Sequence, residues 1–200
     1  MTKIKYCGLT KKEDINIVND IKPEYIGFVF YEKSKRYVTP LRARELRQML
    51  SSDIKAVGVF VNEDIGIVAK LLTDGIIDIA QLHGDEDEDY ILRLKAITDK
   101  EVIKAFKVSD KVSVETAFAT SADYVLLDSG MGSGITFDWD LILNIDKPYF
   151  LAGGLDTDNI KDVMENIKPY AVDVSSGIET DGVKDVEKML AFANTVRKED

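Results

Sequence analysis

Polar and reactive side chains stand directly after several short apolar segments of this sequence. They include a thiol, a guanidinium, an imidazole and two carboxyl groups, which can exchange protons or bind a charged ligand. These residues are Cys7, Arg36, His83, Asp128 and Asp173. Each also has an ordinary explanation, because a lone cysteine is often a small buried hydrophobic residue and an aspartate often caps a helix or a turn. Arg36 could be a solvated loop charge, and His83 a hydrogen-bonded core residue.

Two segments rich in glycine and serine indicate a phosphate-binding site. Gly153 and Gly154 expose backbone N–H groups without side-chain obstruction. Ser175, Ser176 and Gly177 add hydroxyl donors and a second open turn. A phosphate held there would accept several charge-assisted hydrogen bonds. The alternative is that these glycines serve only to allow tight turns.

The elements that must position these residues are predicted from the apolar pattern. Short, continuous apolar and β-branched segments alternate with amphipathic ones, which is typical of parallel strands covered by helices. The predicted strands are Ile4–Cys7, Tyr25–Phe30, Lys55–Val61, Ile77–Gln81, Val102–Ala105, Tyr124–Leu127, Tyr149–Leu151 and Ala171–Val174.

Helices are predicted between the strands from capping residues and helical spacing. Thr39 and Pro40 supply an N-cap and a first-turn proline for one of them. Further helices are predicted over residues 62–72, 85–94, 157–164 and 183–196. The pattern over residues 109–121 is weaker, so we expect the fifth helix to be short or irregular.

Eight strand–helix units in 200 residues predict a single (β/α)8 TIM barrel domain spanning residues 1–200. In this fold functional groups lie at the carboxyl ends of the strands, and the loops after the seventh and eighth strands are the recurrent phosphate site. A doubly wound open sheet is the alternative. Such a sheet usually carries a glycine-rich fingerprint after its first strand, which the segment Cys7–Thr10 lacks.

Composition restricts the function classes further. A formal net charge of −10 argues against a nucleic-acid partner. The single histidine leaves little for a multi-histidine metal site or a Ser-His triad. No apolar run approaches the roughly 20 residues of a membrane span, and no signal peptide is apparent at the start. Together with a single cysteine, these features predict a cytoplasmic protein with no membrane association.

Seven segments, in the same order along the chain, resemble the phosphoribosylanthranilate isomerase family. The glycine pairs also occur in other phosphate-binding barrels, but the full set is specific to this family. The segments are Lys5–Thr10, Lys33–Val38, Gln81–Asp85, Leu127–Ser129, Gly132–Gly134 with Phe137–Trp139, Ala152–Leu155 and Val172–Glu179.

The resemblance implies a reaction of tryptophan biosynthesis that needs no metal or organic cofactor. The reaction is the Amadori rearrangement of N-(5′-phosphoribosyl)anthranilate to 1-(o-carboxyphenylamino)-1-deoxyribulose 5-phosphate. By resemblance, Asp128 is the general acid that opens the ribose ring, and Cys7 is the general base that removes the C2′ proton.

The resemblance also implies residues that bind the substrate. Arg36 would hold the anthranilate carboxylate, Asp173 would lie near the reacting sugar, and His83 would also bind the substrate. Gly154 and Ser176 would belong to the turns that hold the phosphate.

Two positions depart from the family pattern. Tyr6 stands where a smaller aliphatic residue is usual, and strand alternation places it opposite to Cys7, so we expect altered packing rather than altered chemistry. Ile135 stands where a polar or basic residue is common, which puts a substrate contact of that side chain in doubt.

Other functions stay open on the sequence alone. A metal-dependent sugar-phosphate epimerase would use more than one histidine, and indole-glycerol-phosphate synthase would need catalytic lysines at strand ends. A non-catalytic protein that binds a phosphorylated ligand is a further alternative. The oligomeric state is expected to be a monomer or a homodimer.

Overall fold

Eight parallel strands close into a barrel in the computed structural model, which describes residues 1–107, 116–128 and 148–199. Each strand pairs with the next along the chain, and β8 pairs with β1. This topology confirms the predicted barrel and excludes the open sheet. The strands are β1 Lys3–Cys7, β2 Tyr25–Val29, β3 Lys55–Phe60, β4 Ile79–Leu82, β5 Glu101–Lys107, β6 Tyr124–Asp128, β7 Tyr149–Ala152 and β8 Ala171–Val174.

Helices surround the barrel, and one of them is absent from the sequence-based prediction. This helix, α1, buries Ile15, Val18 and Ile21 along one face, and the Asp14 carboxylate accepts from the backbone N–H of Lys11 at its start. The described helices are α1 Lys12–Ile21, α2 Pro40–Met49, α3 Ile65–Thr73, α4 Glu88–Ile97, α5 Ile160–Asn166 and α6 Val186–Lys198. None of them is long and apolar enough to cross a membrane.

The start of the last predicted helix was wrong. A hairpin precedes α6, with strands β9 Glu179–Thr180 and β10 Val183–Lys184. Its turn contains Asp181 at φ 52° and Gly182 at φ 78°, and such left-handed residues cannot continue a right-handed helix. The helix begins only after the side chain of Asp185 caps it.

The fifth predicted helix lies mostly outside the described residues. Residues 116–118 form a helical turn.

Among the described residues, two apolar cores hold the barrel, one between strands and helices and one inside the barrel. Tyr6 belongs to the outer core, where its hydroxyl donates to the carbonyl of Met189 and its ring packs edge-on against Phe192. It therefore faces the helix layer, as strand alternation predicted. The inner core includes Tyr25, Phe150 and their neighbours and ends below the charged residues at the strand tips.

Candidate active site

The carboxyl ends of the strands enclose a cavity of about 220 Å³. Eight of the ten site residues predicted from the sequence line it, drawn from β1, β6, β8 and the segments after β4, β7 and β8. These eight are Cys7, His83, Asp128, Gly153, Gly154, Asp173, Ser175 and Ser176. Closure of the barrel thus brings together residues from both ends of the chain.

A wider cleft of about 820 Å³ adjoins this cavity and shares His83 and Asp128 with it. Its remaining walls come from the segment after β4 and from the end of β5, including Glu86 and Lys104. The two spaces together offer room for a ligand larger than a sugar phosphate.

Cys7 depends on a glycine in the neighbouring strand. Gly27 pairs with Cys7 across the β1–β2 ladder, and a methyl group at Gly27 would lie 2.7 Å from the Cys7 sulfur. Glycine therefore leaves the space that the thiol occupies. The chain then turns at Gly8, whose φ of 79° favours glycine.

Several charges face the thiol of Cys7. Burial raises the pKa of Cys7, the ammonium of Lys5 lowers it, the carboxylate of Asp173 raises it, and Lys184 lowers it. Burial prevails, and the pKa of Cys7 lies above its ordinary value. A thiolate formed here is consequently a stronger base than that of an exposed cysteine.

Lys5 and Asp173 form an ion pair inside the barrel. The Lys5 ammonium lies 2.7 Å from Oδ2 of Asp173, and the Lys5 side chain is wholly excluded from solvent. The other oxygen of Asp173, Oδ1, is buried and has no hydrogen-bond partner among the described residues. Asp173 lines the cavity, and this oxygen keeps its capacity to accept a hydrogen bond.

Arg36 lies beside the site and is held by a carboxylate. Its Nε and Nη2 donate to the two oxygens of Glu179 at 2.6 and 2.7 Å. Lys184 donates to the same carboxylate at 2.8 Å. The side chain of Arg36 crosses Gly8, where a methyl group would lie 2.3 Å from its Cδ. Within the described chain, Nη1 of Arg36 makes no hydrogen bond to Glu179.

Burial disfavours ionisation of Glu179, but the hydrogen bonds from Arg36 and Lys184 outweigh it and lower the pKa of Glu179 to about 2. The hydrogen bonds with Glu179 raise the pKa of Arg36 in turn. The guanidinium and the carboxylate are therefore both charged at neutral pH, and the position of Arg36 is fixed before any ligand binds.

Gln81, His83 and Asp128 form a row across the cavity. The amide nitrogen of Gln81 lies 3.0 Å from Nδ1 of His83, which orients the imidazole ring. The other ring nitrogen, Nε2, lies 3.6 Å from Oδ2 of Asp128. Oε1 of Gln81 is buried and has no hydrogen-bond partner in the described part of the chain, so it too keeps its capacity to accept a hydrogen bond.

The predicted phosphate loops lie side by side. Gly153 and Gly154 adopt φ of 97° and 67°, which favours glycine at both positions. Gly177 does not line the cavity but holds the two loops together, since a methyl group there would lie 2.0 Å from the carbonyl oxygen of Leu155. The Ser175 hydroxyl donates to the carbonyl of Cys7 at 3.0 Å, which connects this wall to β1.

Sequence reasoning missed four residues that surround the predicted site. Lys5, Gln81 and Glu179 stood within the family-like segments but were given no role, and Lys184 was placed inside a helix. A signal existed for Lys5 and Gln81, because each stands two residues from a predicted site residue and shares its strand face.

Some predicted features fall outside the described residues. They are Ser129, the glycine-rich segment Gly132–Gly134, the departure at Ile135 and the segment Phe137–Trp139.

Comparison with known proteins identifies the family. The model of the N-(5′-phosphoribosyl)anthranilate (PRA) isomerase family matches residues 4–195. The chain belongs to this family. Among curated PRA isomerases, that of Endomicrobium trichonymphae is 46% identical over 98% of this chain and 99% of the relative. That of Clostridium acetobutylicum is also 46% identical, over 99% of each chain.

Solved PRA isomerases share the same barrel. The enzyme from Thermotoga maritima superposes with a TM-score of 0.89 at 34% identity, covering 99% of this chain and 100% of the other. A PRA isomerase in complex with reduced 1-(o-carboxyphenylamino)-1-deoxyribulose 5-phosphate gives a TM-score of 0.87, also at 34% identity, with coverage of 99% and 100%.

Family membership confirms both the fold and the activity that the resemblance implied. The chain is an enzyme of tryptophan biosynthesis, an aldose–ketose isomerase acting on N-(5′-phosphoribosyl)anthranilate.

Proposed function

We propose that Asp128 and Cys7 carry out the rearrangement as general acid and general base. The supporting observation is that both side chains line one cavity from different strands, β6 and β1, with the glycine- and serine-rich loops on its wall. An acid and a base placed in this way can address different atoms of one small substrate.

In the first step Asp128 donates its proton to the ribose ring oxygen. The bond between C1′ and that oxygen breaks, and the electron pair of the bond stays on the oxygen. The lone pair of the anthranilate nitrogen forms the C1′=N bond of a protonated Schiff base. His83 supports this step, because its Nε2 faces the carboxylate that remains on Asp128.

In the second step the thiolate of Cys7 takes the proton from C2′. The electron pair of the C2′–H bond forms a C1′=C2′ bond, and the electrons of the C1′=N bond return to nitrogen. The product is an enolamine that becomes the ketone when C1′ gains a proton and the C2′ hydroxyl loses one. The raised pKa of Cys7 makes its thiolate a capable base for a carbon acid.

The remaining residues orient the substrate. Its phosphate lies against Gly153, Gly154, Ser175 and Ser176, where the loops after β7 and β8 meet. Oδ1 of Asp173 accepts a hydrogen bond from a sugar hydroxyl.

Arg36 binds the anthranilate carboxylate through Nη1, because Nε and Nη2 of the guanidinium already donate to Glu179. The phosphate, at the opposite end of the substrate, then lies at the loops after β7 and β8.

The experiment follows the fluorescence of freshly prepared N-(5′-phosphoribosyl)anthranilate as enzyme consumes it. We expect rapid loss without added metal, and a rate reduced by about 10²–10⁴-fold in Cys7→Ala, the size of a lost general base. The fold of the variant is checked by its thermal midpoint. A Cys7→Ala variant that is folded and turns over near the wild-type rate would remove Cys7 from the mechanism.

We infer that the enzyme acts in the cytoplasm as a monomer or a homodimer. A solved relative, the isomerase from Thermotoga maritima that is 35% identical to this chain with a TM-score of 0.88, is described as dimeric and was converted to monomers. Light scattering of the purified protein in solution distinguishes the two states.

A further inference from the structure

Lys5 lies directly beneath the proposed base. It stands two residues before Cys7 on β1, so both side chains point into the barrel. The Lys5 ammonium pairs with Oδ2 of Asp173 at 2.7 Å, and its charge acts to lower the pKa of the Cys7 thiol. Lys5 lies below the cavity rather than among the described residues that line it, so it acts on a ligand only through its neighbours.

Stability alone does not explain this ion pair. Removing two charges from water costs several kcal/mol for each ion, and apolar residues of similar volume usually stabilise a core as well or better. The barrel interior around this pair accepts apolar filling, since Tyr25, Ile103 and Phe150 belong to the inner core. The charge of Lys5 therefore calls for a chemical explanation.

Among the described residues, charged groups from four parts of the chain act on the Cys7 thiol. They are Lys5 on β1, Asp173 on β8, Lys184 on β10 and Arg36 after β2. Arg36 and Lys184 share the carboxylate of Glu179 as counter-ion. Lys5 differs from them, because its only carboxylate partner in the described chain, Asp173, itself faces the thiol.

We propose that Lys5 is a positioning residue whose ammonium, held by Asp173, stabilises the Cys7 thiolate and fixes its place beneath the substrate. This inference rests on the proposed role of Cys7 as the base. The thiol loses its proton to solvent, while Lys5 keeps its own proton throughout. When the thiolate takes the C2′ proton, the ammonium returns to a single anionic partner, Asp173.

The two members of the ion pair must then shift the thiol in opposite directions. Without the Lys5 ammonium, the thiolate loses its nearest cation and the thiol ionises at higher pH. Without the Asp173 carboxylate, the thiolate becomes the main counter-ion of Lys5 and the thiol ionises at lower pH. An ion pair that did not act on the thiol would leave its pKa unchanged in both variants.

The chain offers a clean measurement, because Cys7 is its single cysteine. The rate of alkylation by iodoacetamide as a function of pH reports on Cys7 alone. We expect Lys5→Met to raise the pH midpoint of the Cys7 titration by about one pH unit or more, and Asp173→Asn to lower it. A charge at contact distance usually shifts a pKa by this amount. Below the midpoint, one unit corresponds to a tenfold change in alkylation rate.

Lys104→Met is the matched control. Lys104 is also buried and paired with a buried carboxylate, Glu86 at 3.1 Å. It forms part of the wall of the wider cleft, but its neighbours Ile103 and Ala105 belong to the inner core, so its side chain points away from the barrel interior that holds Cys7. We expect the titration midpoint of the Cys7 thiol in Lys104→Met to equal that of the wild type. An equal rise in Lys104→Met and Lys5→Met would overturn the proposal.

Folding of Lys5→Met is a separate matter, because it leaves Asp173 buried without its counter-charge. The double variant Lys5→Met/Asp173→Asn removes both charges and, compared with Asp173→Asn alone, isolates Lys5. We expect a higher thiol midpoint in the double variant. Equal midpoints in these two proteins, or shifts of the same sign in the two single variants, would overturn the proposal.

Turnover separates this inference from the role of Cys7. If the thiol midpoint shifts and the pH profile of kcat/KM shifts with it, both assignments are supported. If the midpoint shifts while the kcat/KM profile stays in place, the contact between Lys5 and Cys7 is confirmed and Cys7 is not the base.

Discussion

The barrel has a floor, at the amino ends of its strands, and a mouth, at their carboxyl ends. The two regions are built from the same strands but from opposite kinds of residue. At the floor, aromatic rings fill the interior: Phe150 lies 5.3 Å from Tyr25 and 5.7 Å from Tyr124, centroid to centroid, and Tyr124 stacks on Tyr170 at 5.3 Å. At the mouth, the interior holds ion pairs and two buried oxygens without hydrogen-bond partners among the described residues, on Gln81 and Asp173.

This difference separates stability from chemistry along each strand. Edge-to-face ring pairs are favourable in themselves and complete without a ligand. Buried unpaired acceptors are costly until a ligand donates to them. Charge is handled differently as well: Lys3 at the floor donates to the Tyr170 hydroxyl at 2.6 Å, whereas Lys5 on the same strand pairs with a carboxylate. Substitutions at the mouth should thus affect turnover, and those at the floor should affect folding.

The largest expected effect is at the mouth, in Asp128→Asn. The amide cannot donate the proton that opens the ribose ring, so we expect kcat to fall by about 10²–10⁴-fold. The thermal midpoint should stay near the wild-type value. Steady-state kinetics measures the fall in kcat, and a thermal scan measures the midpoint. A large loss of stability with a modest loss of kcat would contradict the assignment of Asp128 to catalysis.

A second mouth variant acts through geometry alone. In Gly27→Ala the new methyl group would meet the Cys7 sulfur at 2.7 Å, so the thiol must move. Displacement of a reacting group by about 1 Å can cost about 10²-fold in rate, and we expect a fall in kcat of that order. The change carries no charge, so an unchanged kcat would show that the position of Cys7 is not critical. Alanine at Gly75 is the control for lost stability: its methyl group meets no atom within 4 Å but its φ of 67° strains the backbone, so we expect a lower thermal midpoint with kcat unchanged.

The floor should respond in the opposite sense. Phe150→Leu removes ring contacts with Tyr25, Tyr124 and Tyr170. We expect the free energy of unfolding to fall by about 1–2 kcal/mol, from the lost aromatic pairs and an unfilled space. kcat and KM should stay at wild-type values, as measured below the unfolding temperature. A change in kcat without loss of stability would break the separation between floor and mouth.

The strands and most of the cavity lining could be predicted from the sequence, but the ion pairs at the mouth could not. Strand alternation and continuous apolar segments predicted all eight strands, and polar residues at strand ends predicted most of the cavity lining, because both signals are local. The ion pairs are not local: Lys5 and Asp173 stand 168 residues apart, and Arg36 and Glu179 stand 143 apart. Only closure of the barrel brings them together.

Local signals also misled at the hairpin β9–β10. Val183 and Val186 continue the apolar spacing of α6, which predicted a helix there. The pairing of Lys184 with Glu179 across the hairpin and the left-handed turn at Gly182 prevent a helix there in spite of that spacing.

The smallest expected effect lies where stability and binding overlap, at Glu179. Burial disfavours its charged form, but Arg36 and Lys184 lower its pKa to about 2 from an ordinary value of 4.5. A carboxyl whose pKa is lowered by folding stabilises the native state above its unfolded pKa, and this contribution is lost as pH falls through its folded pKa. The window for Glu179 is therefore about pH 4.5 down to about 2.

Glu179→Gln removes this titration. We expect its urea midpoint to fall less steeply than that of the wild type as pH is lowered through the accessible part of that window, with both proteins compared at equal ionic strength. The amide also loosens the guanidinium of Arg36, so KM should rise modestly while kcat is kept. Parallel stability profiles for the two proteins would mean that the carboxylate of Glu179 gains nothing from its cations, and Arg36 would then be positioned by its passage over Gly8 alone.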